Sequence, residues 1–202
     1  VRAMRNSGWQ LLTLRGTQWA AGHEITLKPP YELSLSNNDT DADWQWTETD
    51  TSLALQRAGF VLWQYNFNTT KGKPFFHPLS TRQGAVLTAL SPDDHPWHLG
   101  LWHSWKYING LNYWEYKRAQ PWNYAGVTAI KSVEISKHAN HSADINLQLE
   151  YHPEDSLPLL EEMRRIHVHP PESTGSYAID YHMPFNARGA PVRLDRTPLA
   201  AE

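Results

Sequence analysis

Residues 144–151 read Asp-Ile-Asn-Leu-Gln-Leu-Glu-Tyr. Ile145, Leu147, Leu149 and Tyr151 fall on one side of an extended chain, and Asp144, Asn146, Gln148 and Glu150 on the other. A period of two with one apolar set is the pattern of a strand buried on one face. The pattern recurs on both sides of this stretch. Downstream it returns at Arg164, Ile166 and Val168, and at Tyr177, Ile179 and Tyr181; upstream it returns at Val127, Ala129, Val133 and Ile135, and at Val61, Trp63, Tyr65 and Phe67. Shorter pieces are expected at Leu33 with Leu35, Trp44 with Trp46, and Leu53 with Leu55. Fourteen prolines and eleven glycines break the chain between these runs, as turns of a many-stranded sheet require. A helical face at Leu157, Leu160, Glu161 and Arg164 competes in one window, but the alternation continues into Ile166-His-Val168 and favours a strand. The expectation is an all-β, antiparallel β-sandwich with very little helix.

The 202 residues are read as one domain, 1–202, in three zones. Strands occupy 1–70, a Trp/His-rich loop region 71–124, and a second group of strands 125–202. That last group reads as incomplete, because no closing strand follows Val192-Arg-Leu-Asp-Arg-Thr-Pro198. An open strand edge invites pairing, so a homo-oligomer through the C-terminal sheet edge is expected.

A 40% hydrophobic content is enough for a real core, and the net charge of −3 provides no attraction to nucleic acid or anionic membrane. Without cysteine, the chain has no disulfide framework, thiolate metal site or cysteine nucleophile. No apolar run approaches the roughly 20 residues that cross a bilayer, so a soluble chain is expected, cytoplasmic or periplasmic.

Chemistry concentrates at residues 92–114, Pro-Asp-Asp-His-Pro-Trp-His-Leu-Gly-Leu-Trp-His-Ser-Trp-Lys-Tyr-Ile-Asn-Gly-Leu-Asn-Tyr-Trp. His95, His98 and His103 lie in a segment that Pro92, Pro96, Gly100 and Gly110 keep out of regular structure. Neutral imidazoles brought together in a loop bind divalent metals, so these three are a candidate metal set with His77 as a fourth ligand. Histidines bonded to Asp93 or Asp94 are the competing reading. Tryptophans offer flat apolar faces to sugar rings while polar groups meet the hydroxyls. Trp97, Trp102, Trp105 and Trp114, with Arg82 and Asn109, are therefore candidate substrate-binding residues, with Trp122 beside them. For acid–base chemistry the preferred pair is His95 or His98 with Asp94, then His77 with His103. A two-carboxylate mechanism would draw on Asp94, Glu115 and Glu162. Glu162 and Arg164 share a strand face and read as a structural ion pair; Asp195 with Arg196 reads as a turn or salt bridge. His138, His141, His152, His167 and His169 read as solvated or structural.

Three segments together, Gly72-Lys-Pro-Phe-Phe-His-Pro-Leu-Ser-Thr-Arg-Gln-Gly84, Pro92 to His103, and Asn109-Gly-Leu-Asn-Tyr-Trp-Glu115, resemble the bacterial PmoA family, labelled methane oxygenase. Glu162-Met-Arg164, Ile179-Asp180 and Leu194-Asp-Arg-Thr-Pro198 extend the likeness. The resemblance implies a large sandwich akin to galactose mutarotase-like proteins, sugar-processing bacteria as hosts, and a chain shortened at its C-terminus. The expected function is that of a carbohydrate-active protein, an enzyme acting on a sugar or sugar derivative through histidine acid–base chemistry. A His-coordinated metalloprotein of the oxygenase kind and a non-catalytic sugar-binding or assembly module are the alternatives. The expected partner is a small-molecule or oligosaccharide ligand.

Overall fold

The computed structural model describes residues 2–5, 8–11, 44–68, 73–114, 126–172 and 175–196. Its contacts divide the chain into two compact units, Val1–Asn37 and Asn38–Glu202, where the sequence reading has one domain. In the first unit, β1 (Arg2–Arg5) and β2 (Gly8–Leu11) pair antiparallel. The expected strand at Leu33 and Leu35 lies outside the described residues.

The second unit is built from two antiparallel five-stranded sheets and a small three-stranded one. The first sheet has the order β3 (Trp44–Thr49), β4 (Ser52–Arg57), β5 (Phe60–Asn66), β6 (Phe75–Leu79), β7 (Leu101–Trp102). The small sheet involves β8 (Tyr107–Ile108) and β9 (Leu111–Asn112). The second large sheet runs β10 (Gly126–Lys137), β11 (Ala143–Pro153), β12 (Leu160–Val168), β13 (Ile179–His182), with β14 (Phe185–Ala187) also pairing β12. No helix occurs among the described residues. The all-β antiparallel sandwich is the fold.

The alternation that predicted β11 is what its burial shows: Ala143, Ile145, Leu147, Leu149 and Tyr151 are buried. On β12 the buried set is Leu160, Glu162, Arg164, Ile166 and Val168, so the competing helical window is strand. These side chains meet those of β4, β5 and β6, including Leu53, Leu55, Trp63, Tyr65 and Phe76, in one core. Phe76 packs edge-on to Tyr181 at 6.3 Å, and the Tyr177 hydroxyl donates to the Leu62 and Ser80 carbonyls at 3.3 and 3.2 Å. Each fully buried aliphatic or aromatic side chain stabilises by about 1.5–3 kcal/mol, which offsets the cost of two charges held in the same interior.

In two strands a departure from simple alternation moves a face read from the sequence. In β10 the partners step from Ile130↔Leu149 to Ser132↔Gln148, leaving Lys131 as an extra residue. That bulge reverses the phase, so Ile130 is buried and Val127 and Ala129 do not share the core face of Val133 and Ile135. In β5 the partners step from Trp63 to Val61, and Leu62, fully buried, takes the core position expected of Val61. The last described strand, β15 (Leu194–Asp195), has a neighbour in β8, with Leu194↔Ile108 and Asp195↔Tyr107. Its partner comes from the loop region nearly ninety residues earlier, which a reading of adjacent strands does not find.

Candidate functional site

Residues 90–99 form a closed loop. Leu90 and Leu99 bridge, the Ser91 amide donates to the His98 carbonyl at 2.8 Å, and two turns follow each other, His95 N to Pro92 O and His98 N to His95 O, both 2.9 Å. Pro96 stands second in the latter turn, where its fixed φ suits the geometry. The turns bring Asp94, His95 and His98 together on the exterior. His95 Nδ1 lies 3.0 Å from Asp94 Oδ2, with side chains 56% and 78% exposed. The hydrogen bond from His95 holds the Asp94 carboxyl below its ordinary range. The rings of His95 and His98 are 6.1 Å apart, and His95 is 5.4 Å from Trp97.

From His98 the contacts run into a tryptophan pair. His98 is 6.4 Å from Trp102, and Trp102 is 4.6 Å from Trp114. Beneath them Lys73, buried and in a left-handed conformation (φ 49°), donates from Nζ to the Trp114 carbonyl at 2.6 Å and lies 5.7 Å from the Trp102 ring. A cleft of about 360 Å³ follows, lined by Ser104, Trp105, Lys106, Trp114, Asp195 and Arg196. Trp105, 38% exposed, is pinned by a 2.9 Å bond from its Nε1 to the Asp195 carbonyl.

Four candidates are turned elsewhere. His103 is not with His95 and His98; its ring lies 6.1 Å from Phe185. Burial and the Arg164 charge lower the pKa of His103, and Glu162 partly opposes them. Alternation along 102–105 explains this, since a chain that presents Trp102 outward presents His103 inward. His77 shares a 2.9 Å hydrogen bond with Thr88, and burial lowers its pKa; it does not join His103. Among the described residues no group of three or more His, Asp or Glu is arranged to hold a metal ion, so the expected His95, His98 and His103 set does not assemble. Arg82 donates to the Glu172 carbonyl and lies over the Trp44 ring at 5.7 Å, a packing role. Asn109 and Gly110, both at positive φ (51° and 79°), form the turn between β8 and β9. The Asn109 side chain accepts from the Arg193 amide at 2.7 Å and its amide donates to Arg193 O at 2.8 Å, so it is a strut for β15. Glu115 and Trp122 lie outside the described residues.

The interior holds a second polar centre. Arg164 Nε and Nη2 donate to Glu162 Oε1 and Oε2 at 2.5 and 2.9 Å, and the Tyr151 hydroxyl donates to Oε2 at 2.5 Å. Burial alone would lower the Arg164 pKa; the hydrogen bond and charge of Glu162 outweigh it and hold it high. Arg164 Nη1, the Tyr65 hydroxyl, His103 Nδ1 and the Tyr113 hydroxyl are buried there without hydrogen-bond partners. Burial raises the pKa of Tyr65 and pushes that of Tyr113 up to about 12, so both phenols stay protonated. The sequence reading of Glu162 and Arg164 as an ion pair matches this geometry. It missed the cleft wall of Ser104, Lys106 and Arg196, and Lys73, because those residues meet only through the β15–β8 pairing and the close approach of 73 to 114. Asp195 pairs with Arg193 at 2.6 Å, not with Arg196.

The fold and this surface define an antiparallel β-sandwich carrying an open tryptophan-walled cleft. Residues 52–200 match the profile described as "Family of unknown function (DUF6807)", and the chain belongs to that family. This corrects the expected PmoA membership: the match is to DUF6807, and the methane oxygenase label loses its basis with it. No curated protein and no solved structure matches the chain. Among the described residues no helix is long and apolar enough to cross a membrane.

Proposed function

We propose that this protein binds a saccharide on the face that runs from the His95–Asp94 pair across Trp102 to the cleft between Trp105 and Trp114. The carrying observation is the cleft: two tryptophans in one open concavity with Ser104, Lys106 and Arg196 beside them. Flat apolar faces next to hydrogen-bonding groups fit a sugar ring, which is apolar on its faces and polar at its edge. Both aromatic rings have protein contacts, Trp105 through Asp195 O and Trp114 through the Trp102 ring at 4.6 Å, which lowers the ordering left to be done on binding.

Histidine acid–base chemistry on this face rests on one dyad, His95 with Asp94 as its orienter. It stands as the second reading, with the sugar-binding step first. Titration of intrinsic tryptophan fluorescence with a panel of oligosaccharides tests the binding reading. Trp105→Ala and Trp114→Ala are each expected to weaken any binding about ten-fold or more, measured below their unfolding transitions. Absence of response across the panel, or full binding by both variants, overturns it. Turnover of a bound saccharide that His95→Ala abolishes would establish the enzymatic reading.

A further inference from the structure

Resting on that reading, we infer that the saccharide taken by the cleft is anionic, a glycan bearing a uronate carboxylate. The chain as a whole carries a formal charge of −3, yet the described lining of its cleft has the opposite balance. Among the described residues, Lys106 and Arg196 stand on its wall, and Asp195 is the one acidic residue lining it. Asp195 is already neutralised. Its Oδ1 lies 2.6 Å from Arg193 Nε and its Oδ2 accepts from the Gly110 amide at 3.2 Å, so the carboxylate serves its own turn. Arg196 is exposed and makes no ion pair among the described residues. Lys73 adds a buried positive charge behind Trp102, 5.7 Å from that ring.

An uncommitted guanidinium beside an aromatic wall suits a planar carboxylate, which it engages through two parallel N–H donors, while the sugar ring lies on tryptophan. A sulfate ester offers the same charge without the planar fork. That difference separates the two sources of an anionic sugar.

Three probes of equal length and linkage decide the matter by calorimetry: a galacturonic acid trisaccharide, its neutral galactose counterpart and a sulfated galactose counterpart. The uronate is expected to bind best and to weaken as salt is raised, because exposed charges are screened. Arg196→Gln is expected to weaken the uronate about ten-fold or more and the neutral sugar far less, so that the preference for the uronate is lost, with the same unfolding midpoint as the parent. Equal binding of neutral and acidic probes, with Arg196→Gln silent, overturns the anionic inference and leaves saccharide binding standing. Preference for the sulfated probe overturns the carboxylate assignment. Binding of the uronate that polyglutamate displaces equally well reduces the effect to general polyanion attraction and overturns it too. No binding of any probe, together with a silent oligosaccharide panel, removes the saccharide reading itself.

Discussion

Two acid–base pairs in this molecule have nearly the same chemistry and opposite settings. Glu162 and Arg164 are at most 1% exposed, joined by two hydrogen bonds and capped by Tyr151. Asp94 and His95 are 78% and 56% exposed and joined by one contact of 3.0 Å. In the interior, low dielectric makes the attraction strong and makes an unpaired partner very costly. On the loop, solvent and salt screen the same kind of contact, so the pair contributes little to folding and is free for ligand chemistry. Position relative to the sandwich, more than residue type, separates the structural pair from the candidate site.

The largest expected effect comes from breaking the buried pair. Glu162→Gln leaves Arg164 charged and uncompensated between the sheets, at an expected loss of about 3–5 kcal/mol in chemical denaturation. A loss below about 1 kcal/mol would mean that water reaches the centre and that the two settings differ little. Next is Gly100, at φ +75°, where a β-carbon would stand 2.4 Å from the Phe76 carbonyl oxygen and 3.1 Å from His77 Cβ. Gly100→Ala is expected to cost about 1–3 kcal/mol from backbone strain alone and to displace the loop from β6. Loss of ligand binding in that variant, measured below its unfolding transition, would tie loop placement to function.

A smaller effect concerns pH. Because burial and Arg164 lower the pKa of His103 from 6.5, the unfolded chain takes up a proton at a pH where the folded chain does not. Stability therefore falls as pH drops below about 6.5 and levels off once the folded imidazole is also protonated. His103→Gln should flatten that part of the stability curve, measured by thermal unfolding from pH 7.5 to 5. Asp144 acts separately: bonds from His167 and then His138 lower its pKa from 3.8, so its contribution is lost only at more acidic pH. The smallest expected effect is His95→Ala, which should leave the unfolding midpoint where it is while changing ligand response. A destabilised His95 variant would move that residue from the surface pair into the packing of the loop.

Much of the sandwich was legible because burial on one face imposes a period of two that residues such as Ile145, Leu147 and Leu149 display directly. Positions 61, 127 and 129 were misread for one reason: a single extra residue, Leu62 or Lys131, reverses the phase and carries no composition signal of its own. The site was legible as a dense segment and illegible as a geometry. Of the expected ligand-contacting residues, Trp102, Trp105 and Trp114 fall on one surface, whereas Arg82, His77 and Asn109 are occupied in packing, a turn or a strut.

By itself the sequence determined the fold class, the core faces of β11 and β12, the Glu162–Arg164 pair and the location of the chemistry-bearing segment. These follow from local periodicity and composition, which act over a few neighbouring residues. Only the tertiary structure decided that His103 faces inward away from His95 and His98, and that Arg196 reaches Trp105 and Trp114. It also decided that Lys73 supports their wall. Those outcomes depend on which distant strands pair, β15 with β8 and β6 with β7, and pairing between distant segments is settled by the packing of the whole core.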